Sequence, residues 1–150
     1  MDNRAMLDAL ERVLGNSKVA VLATAGKDGR PSVRWMTPAL VRGRDGFIYA
    51  VTSPAFAKAR EVSDNAQVEW MLQTKSLSEI LTIQGEMTII DNPAAKAEVL
   101  EALGGNLGTF WKVNPDESSL VVLETRISSA TLFNPLTGDK KSFTVGGNDG

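Results

Sequence analysis

The chain has no cysteine and no histidine among its 150 residues. Without cysteine there are no disulfides, no thiolate metal sites and no cysteine nucleophile. Without histidine the usual zinc ligand and the commonest general base are also missing. Carboxylate-only metal sites are left, and no ligand spacing suggests one. No apolar run approaches the ~18 residues of a membrane-spanning helix. The first residues, MDNRAMLDALERVL, carry charges throughout and lack the apolar stretch of a signal peptide. Sixteen basic against eighteen acidic residues give a net charge of -2, and the pI is about 5.2. That balance argues against nucleic acid or an anionic membrane as the main partner. These exclusions lead to the expectation of a soluble cytoplasmic domain. No G-x-S-x-G motif, P-loop or closely spaced carboxylate pair points to hydrolysis.

What is present reads as one domain over 1–150, with an N-terminal helical segment in 1–16 and a polar, glycine-rich tail over 135–150, part of it either a short strand or disordered. A chain of this length buries roughly 70% of the surface it exposes when unfolded, so it needs no covalent staple. Met6, Leu7, Leu10, Val13 and Leu14 fall on one face of a helix over 3–14, with Gly15 placed to end it. KVAVLAT (18–24) is strand-like, and Asp28-Gly29 is a hairpin signal. PSVRWMTPALVR (31–42) alternates but is interrupted by Pro38, which marks an edge or a bulge. FIYAVTS (47–53) is a third strand, and 55–63 has helical character. Strands follow at 68–73 and 79–90, the second bending at Gly85. Asn92-Pro93 opens a helix closed by Gly104-Gly105. A loop with Phe110, Trp111 and Pro115 precedes a last long strand over 120–133. Hairpin-linked strands with three short helices imply a mainly β fold, a small antiparallel barrel.

Two places carry chemistry. After the third strand, Thr52-Ser53-Pro54 occupies a helix N-terminus, where unpaired N–H groups and a partial positive charge favour an anion. Lys58, one turn on, reaches back as a positive point charge. The same residues serve equally as a plain helix cap beside a solvated lysine. In PSVRWMTP, Arg34 shares a face with Ser32 and Met36, while Val33, Trp35 and Thr37 face the other way. Arg34 is either a surface cross-strand partner or an anion ligand. Pro38 frees neighbouring backbone groups, which suits the polar edge of a flat heteroaromatic ring or an ordinary bulged edge. Trp70 alternates with Val68 and Leu72 and is expected in the core.

The order PSVRWMTP, FIYAVTSPAFAKAREVSDNAQVEWML and ILTIQGEMTIID resembles the pyridoxamine 5′-phosphate oxidase-like flavoproteins over residues 18–91. The resemblance implies an antiparallel split β-barrel of FMN-binding type, forming a homodimer with the flavin at the subunit interface. It assigns Arg34 to the phosphate side of FMN and Trp35, Met36 and Thr37 to the ring. It makes Thr52 and Lys58 phosphate ligands, with Val51 and Ser53 beside them, and Asn65 and Val68 meet a downstream N-x-x-V pattern. Trp111, with Phe110 and Phe133, either covers the ring from the partner subunit or packs in the barrel or dimer. Departures matter too. The family's further phosphate arginine, second-strand lysine and ring-reaching glutamine fall at Ala57, Ala39 and Ile80. Its C-terminal Arg-x-His motif has no histidine to match. The resemblance therefore implies a relative of the oxidase rather than the oxidase itself.

The function this implies is an FMN-dependent oxidoreductase that passes electrons from NAD(P)H or a similar donor to a small acceptor. No side chain stands out as a catalytic proton donor. Two other readings stay open: a non-catalytic FMN electron carrier or redox sensor, and a split barrel that binds a deazaflavin.

Overall fold

The computed structural model describes residues 3–26, 28–53, 65–104 and 120–145. The chain opens with α1 (Asn3–Ser17) and continues through β1 (Ala20–Ala25), β2 (Pro31–Met36), β3 (Phe47–Thr52), β4 (Gln67–Gln73) and β5 (Ile80–Ile90). It then forms α2 (Pro93–Leu103), β6 (Val121–Phe133) and β7 (Lys140–Thr144). The segment expected to be helical at 55–63 and the aromatic loop at 106–117 lie outside the described residues, so two of the three expected helices are described.

Every strand pairing is antiparallel, and the order is β2-β1-β4-β5-β6-β3, with β7 on the second half of β6. The two ends of that order meet. Ala39, just past β2, bridges Tyr49 of β3 through two backbone hydrogen bonds of 2.7 and 2.9 Å. The sheet is therefore a barrel joined along one seam by a single bridge, a split barrel.

Alternation places the core. Along β4 the exposed and buried positions alternate strictly, with Val68, Trp70 and Leu72 buried. Trp70 lies inside the barrel as expected, and its Nε1 donates to Thr125 Oγ1 at 3.0 Å, so its one polar atom is satisfied. Leu22, Ile48, Ala50, Leu81, Ile83, Leu123 and Ile127 complete the interior, and Met6, Leu10 and Val13 of α1 close one end. A second cluster forms outside the barrel, where Val99 and Leu103 of α2 cover Tyr49, Val51 and Val122. β3 is consequently buried on both faces.

Several boundaries differ from the sequence expectation, each for a local reason. α1 runs through Gly15 to Ser17, because Lys18 provides the stop: its φ is 65° and its N–H donates to Leu14 O at 2.8 Å. β1 consequently starts at Ala20 rather than Lys18. β2 ends at Met36, since Pro38 has no N–H to continue a ladder. The Asp28-Gly29 hairpin forms, with Gly29 at φ 79° and Asp28 Oδ1 accepting from Arg30 N. β5 shifts register between Gln84 and Gly85, where the bend was expected. Asn92 caps α2 through its Oδ1, with Pro93 in the first turn. Part of the polar tail becomes β7, because Phe143 is apolar enough to enter the core.

Candidate active site in the barrel seam

β2 hydrogen-bonds to β1 along one edge, and β3 to β6 along one edge. Their other edges face each other across the seam. Counting back from the Ala39–Tyr49 bridge in antiparallel register sets Thr37 opposite Val51 and Met36 opposite Thr52. Among the described residues no strand pairing joins these stretches. Backbone N–H and C=O groups on both edges are therefore directed at the seam rather than committed to a sheet partner.

The side chains divide by parity. Arg34 stands opposite Leu22, and Leu22 opposite Trp70, so Arg34 belongs to the interior row. It is half-buried, and its Nη2 donates to Ser32 Oγ at 2.7 Å. Thr52 shares the interior parity of Ile48 and Ala50 and is a buried polar residue, 9% exposed. Ser53 and Thr37 are half-buried. Register thus sets Arg34 and Thr52 in the interior row on the two strands that border the seam, with Thr37 and Ser53 on the alternate parity of the same strands. Met36 packs on the interior cluster and Val51 belongs to the cluster under α2. Both can reach a seam ligand through their backbone, whereas their side chains are structural. Trp35 goes elsewhere: it is 76% exposed on the outer face, in a row with Val21 and Met71. Lys58 and Trp111 lie outside the described residues.

The departures from the oxidase pattern also have places. Ala39 is buried at the bridge within the second cluster, where a lysine ammonium would be desolvated. Ile80 opens β5 between Gln73 and Phe133, and Phe133 is half-buried.

Sequence reasoning missed two polar residues near Arg34. Ser32 was noted only as sharing its face. Thr24 lay inside a stretch read simply as a strand, although it ends the inward row Ala20, Leu22, Thr24. Thr24 is 4% exposed, and its Oγ1 has no hydrogen-bond partner among the described residues. Period-two alternation was the available signal, since it puts a hydroxyl where an apolar residue belongs.

The sequence pattern of pyridoxamine 5′-phosphate oxidase matches residues 6–133. This chain belongs to that family. A pyridoxine/pyridoxamine 5′-phosphate oxidase of Sphingopyxis alaskensis is 37% identical over 82 residues, 55% of this chain. The match spans only 37% of that relative's length. A Clostridium acetobutylicum protein related to general stress protein 26, of the pyridoxinephosphate oxidase family, superposes with a TM-score of 0.70. It is 15% identical, with 97% of both chains covered. A pyridoxamine 5′-phosphate oxidase-related, FMN-binding protein of Nostoc punctiforme gives 0.64 at 16% identity, covering 92% of this chain and 95% of its own. An F420 reductase gives 0.59 at 19% identity, covering 80% and 94%. At these identities the structural likeness establishes the fold, and the oxidase-family seam is the place where a ligand question arises.

Proposed function

We propose that this oxidase-family chain binds FMN in the seam between β2 and β3 and acts as an oxidoreductase. The observation that carries the reading is the seam: Arg34 and Thr52, both of interior parity, stand on the two strands that meet at the Ala39–Tyr49 bridge, and among the described residues no strand pairing joins those strands beyond it. The residues fit the group. A phosphate requires charge-assisted donors, which Arg34, Thr52 and Ser53 supply, with Lys58 as a further cation. The polar edge of an isoalloxazine requires backbone donors and acceptors, and Met36, Thr37 and the backbone of Val51 border the opening. When bound, the flavin supplies the electron transfer, and the chain supplies position and charge. Arg34 and the hydroxyls would hold the phosphate.

An apolar outer face supports the homodimer. Val33 is 67% exposed beside Trp35, and Met71 and Val19 continue the patch. A monomer of this size rarely leaves such a contiguous surface open. NAD(P)H is the proposed donor class and a small molecule the acceptor.

Titration of the apoprotein with FMN, followed by flavin fluorescence, tests the site. Arg34→Ala and Lys58→Ala are each expected to lower FMN affinity at least tenfold, as losing one charge-assisted hydrogen bond costs about 1.5–3 kcal/mol. Unchanged titrations would remove the seam as the site. The likeness to an F420 reductase supports one second reading, a deazaflavin in the same seam. Parallel titration with FMN and F420 separates the two. Turnover of NADH or NADPH with added acceptors distinguishes an enzyme from an electron carrier.

A further inference from the structure

Thr24 stands directly opposite Ser32 in the β1–β2 ladder, one step along the inner row from the Leu22–Arg34 pair. Side chains opposite each other on one face of such a pair lie roughly 4.5–5.5 Å apart at Cβ. Ser32 Oγ accepts from Arg34 Nη2 at 2.7 Å, which leaves the Ser32 proton free to donate outward. Thr24 Oγ1 is itself buried and makes no hydrogen bond among the described residues. A buried hydroxyl without a partner destabilises a protein, and such groups are rare in native structures. Among the described residues, the side-chain bonds of β4 and β5 at this end run on the exposed parity. Gln84 Nε2 donates to Glu69 at 2.7 Å, Gln67 Nε2 donates to Glu86 at 3.2 Å, and Asn65 Oδ1 accepts from Gln67 N. Thr24 is not part of those bonds and belongs to the inner row, opposite the serine that the Arg34 guanidinium bonds.

We propose that Thr24 is a phosphoryl-binding residue, donating its hydroxyl proton to the anion that Arg34 and Ser32 hold. The inference rests on the seam binding a phosphorylated cofactor and adds a ligand from β1, a strand outside the seam. The row Thr24, Ser32, Arg34 gives two hydroxyl donors and one cation on adjacent strands, a set that matches a tetrahedral dianion better than it matches a planar ring.

The test compares Thr24→Val, which keeps the shape and removes the hydroxyl, with Thr24→Ser, which keeps the hydroxyl. FMN and riboflavin are both titrated, since riboflavin lacks the phosphate. Thr24→Val is expected to weaken FMN about tenfold and leave riboflavin unchanged, while Thr24→Ser stays within about threefold of wild type for FMN. The ligand-free Thr24→Val protein is expected to melt a few degrees higher than wild type, because an unpartnered buried hydroxyl is gone. A structural threonine would behave in the opposite way: a lower melting temperature and equal FMN affinity would overturn the proposal. Should wild type bind no flavin at all, the flavin reading fails separately. Inorganic phosphate then decides for Thr24, by whether it raises the melting temperature of wild type but not of Thr24→Val; equal shifts would overturn the proposal.

Discussion

Tyr49 lies beneath α2 with its phenol donating to Glu124 Oε2 at 2.7 Å, and Arg44, which pairs with Glu98 at 3.2 Å, stands beside it. Burial, reinforced by the Glu124 carboxylate and partly offset by Arg44, pushes the phenol up to about 12. The folded protein therefore keeps this proton at pH values where an unfolded tyrosine, with a pKa near 10, has begun to lose it. Stability from this source is complete below pH ~10 and falls as pH rises towards ~12, because the unfolded chain then binds fewer protons. Denaturant unfolding at pH 8, 10 and 11.5 is expected to show that decline in wild type and a shallower one in Tyr49→Phe. An equal slope in both proteins would contradict it. At this scale alternation was legible: it separated Arg34 from Trp35 and predicted Trp70 inside. Which face of PSVRWM turns inward was not legible, because arginine and tryptophan are each compatible with either side until the neighbouring strand is known.

Among the elements, β5 shows how one residue sets a shape. A Cβ on Gly85 would collide with the Arg126 carbonyl oxygen and approach Thr125 Cγ2 at 2.8 Å. The collision is with backbone of the neighbouring β6, so it cannot be relieved by a side-chain rotation. Gly85→Ala is expected to destabilise by about 1–3 kcal/mol, the usual range for overpacking, and to lower the melting temperature accordingly. Wild-type melting would show that the bend has slack. The bend itself was readable, since a glycine inside a long strand pattern signals a bulge or close backbone approach. Helix ends were less readable. Gly15 is the stop the sequence offers for α1, yet the helix runs to Ser17 and ends where Lys18 takes a left-handed conformation.

For the whole molecule, the outer face of β2, β1 and β4 matters most. Val33, Trp35, Val21 and Met71 form an apolar surface on the side of the sheet away from the core. We propose it as the homodimer interface, continuous through β2 with the seam between β2 and β3. Sedimentation is expected to give a dimer for wild type and a monomer for Trp35→Asp, with the melting transition retained because the side chain is exposed. The monomer is further expected to bind FMN more weakly. A wild-type monomer, or a dimeric Trp35→Asp, would rule out this surface.

The sequence alone determined the described strands and helices, the bend and the family, because periodicity, Pro38, Gly85 and Asn92-Pro93 act over a few neighbouring residues. It also supplied Arg34, Thr52 and Ser53 as site candidates through their motif. Only the tertiary structure decided that Ala39 closes the barrel on Tyr49, that among the described residues no pairing joins β2 and β3 beside that bridge, and that the Val51 side chain packs under α2. It alone set Thr24 opposite Ser32. These are pairings between residues distant in the chain, fixed by which strands share hydrogen bonds, and no local pattern encodes the register of two strands that have yet to meet.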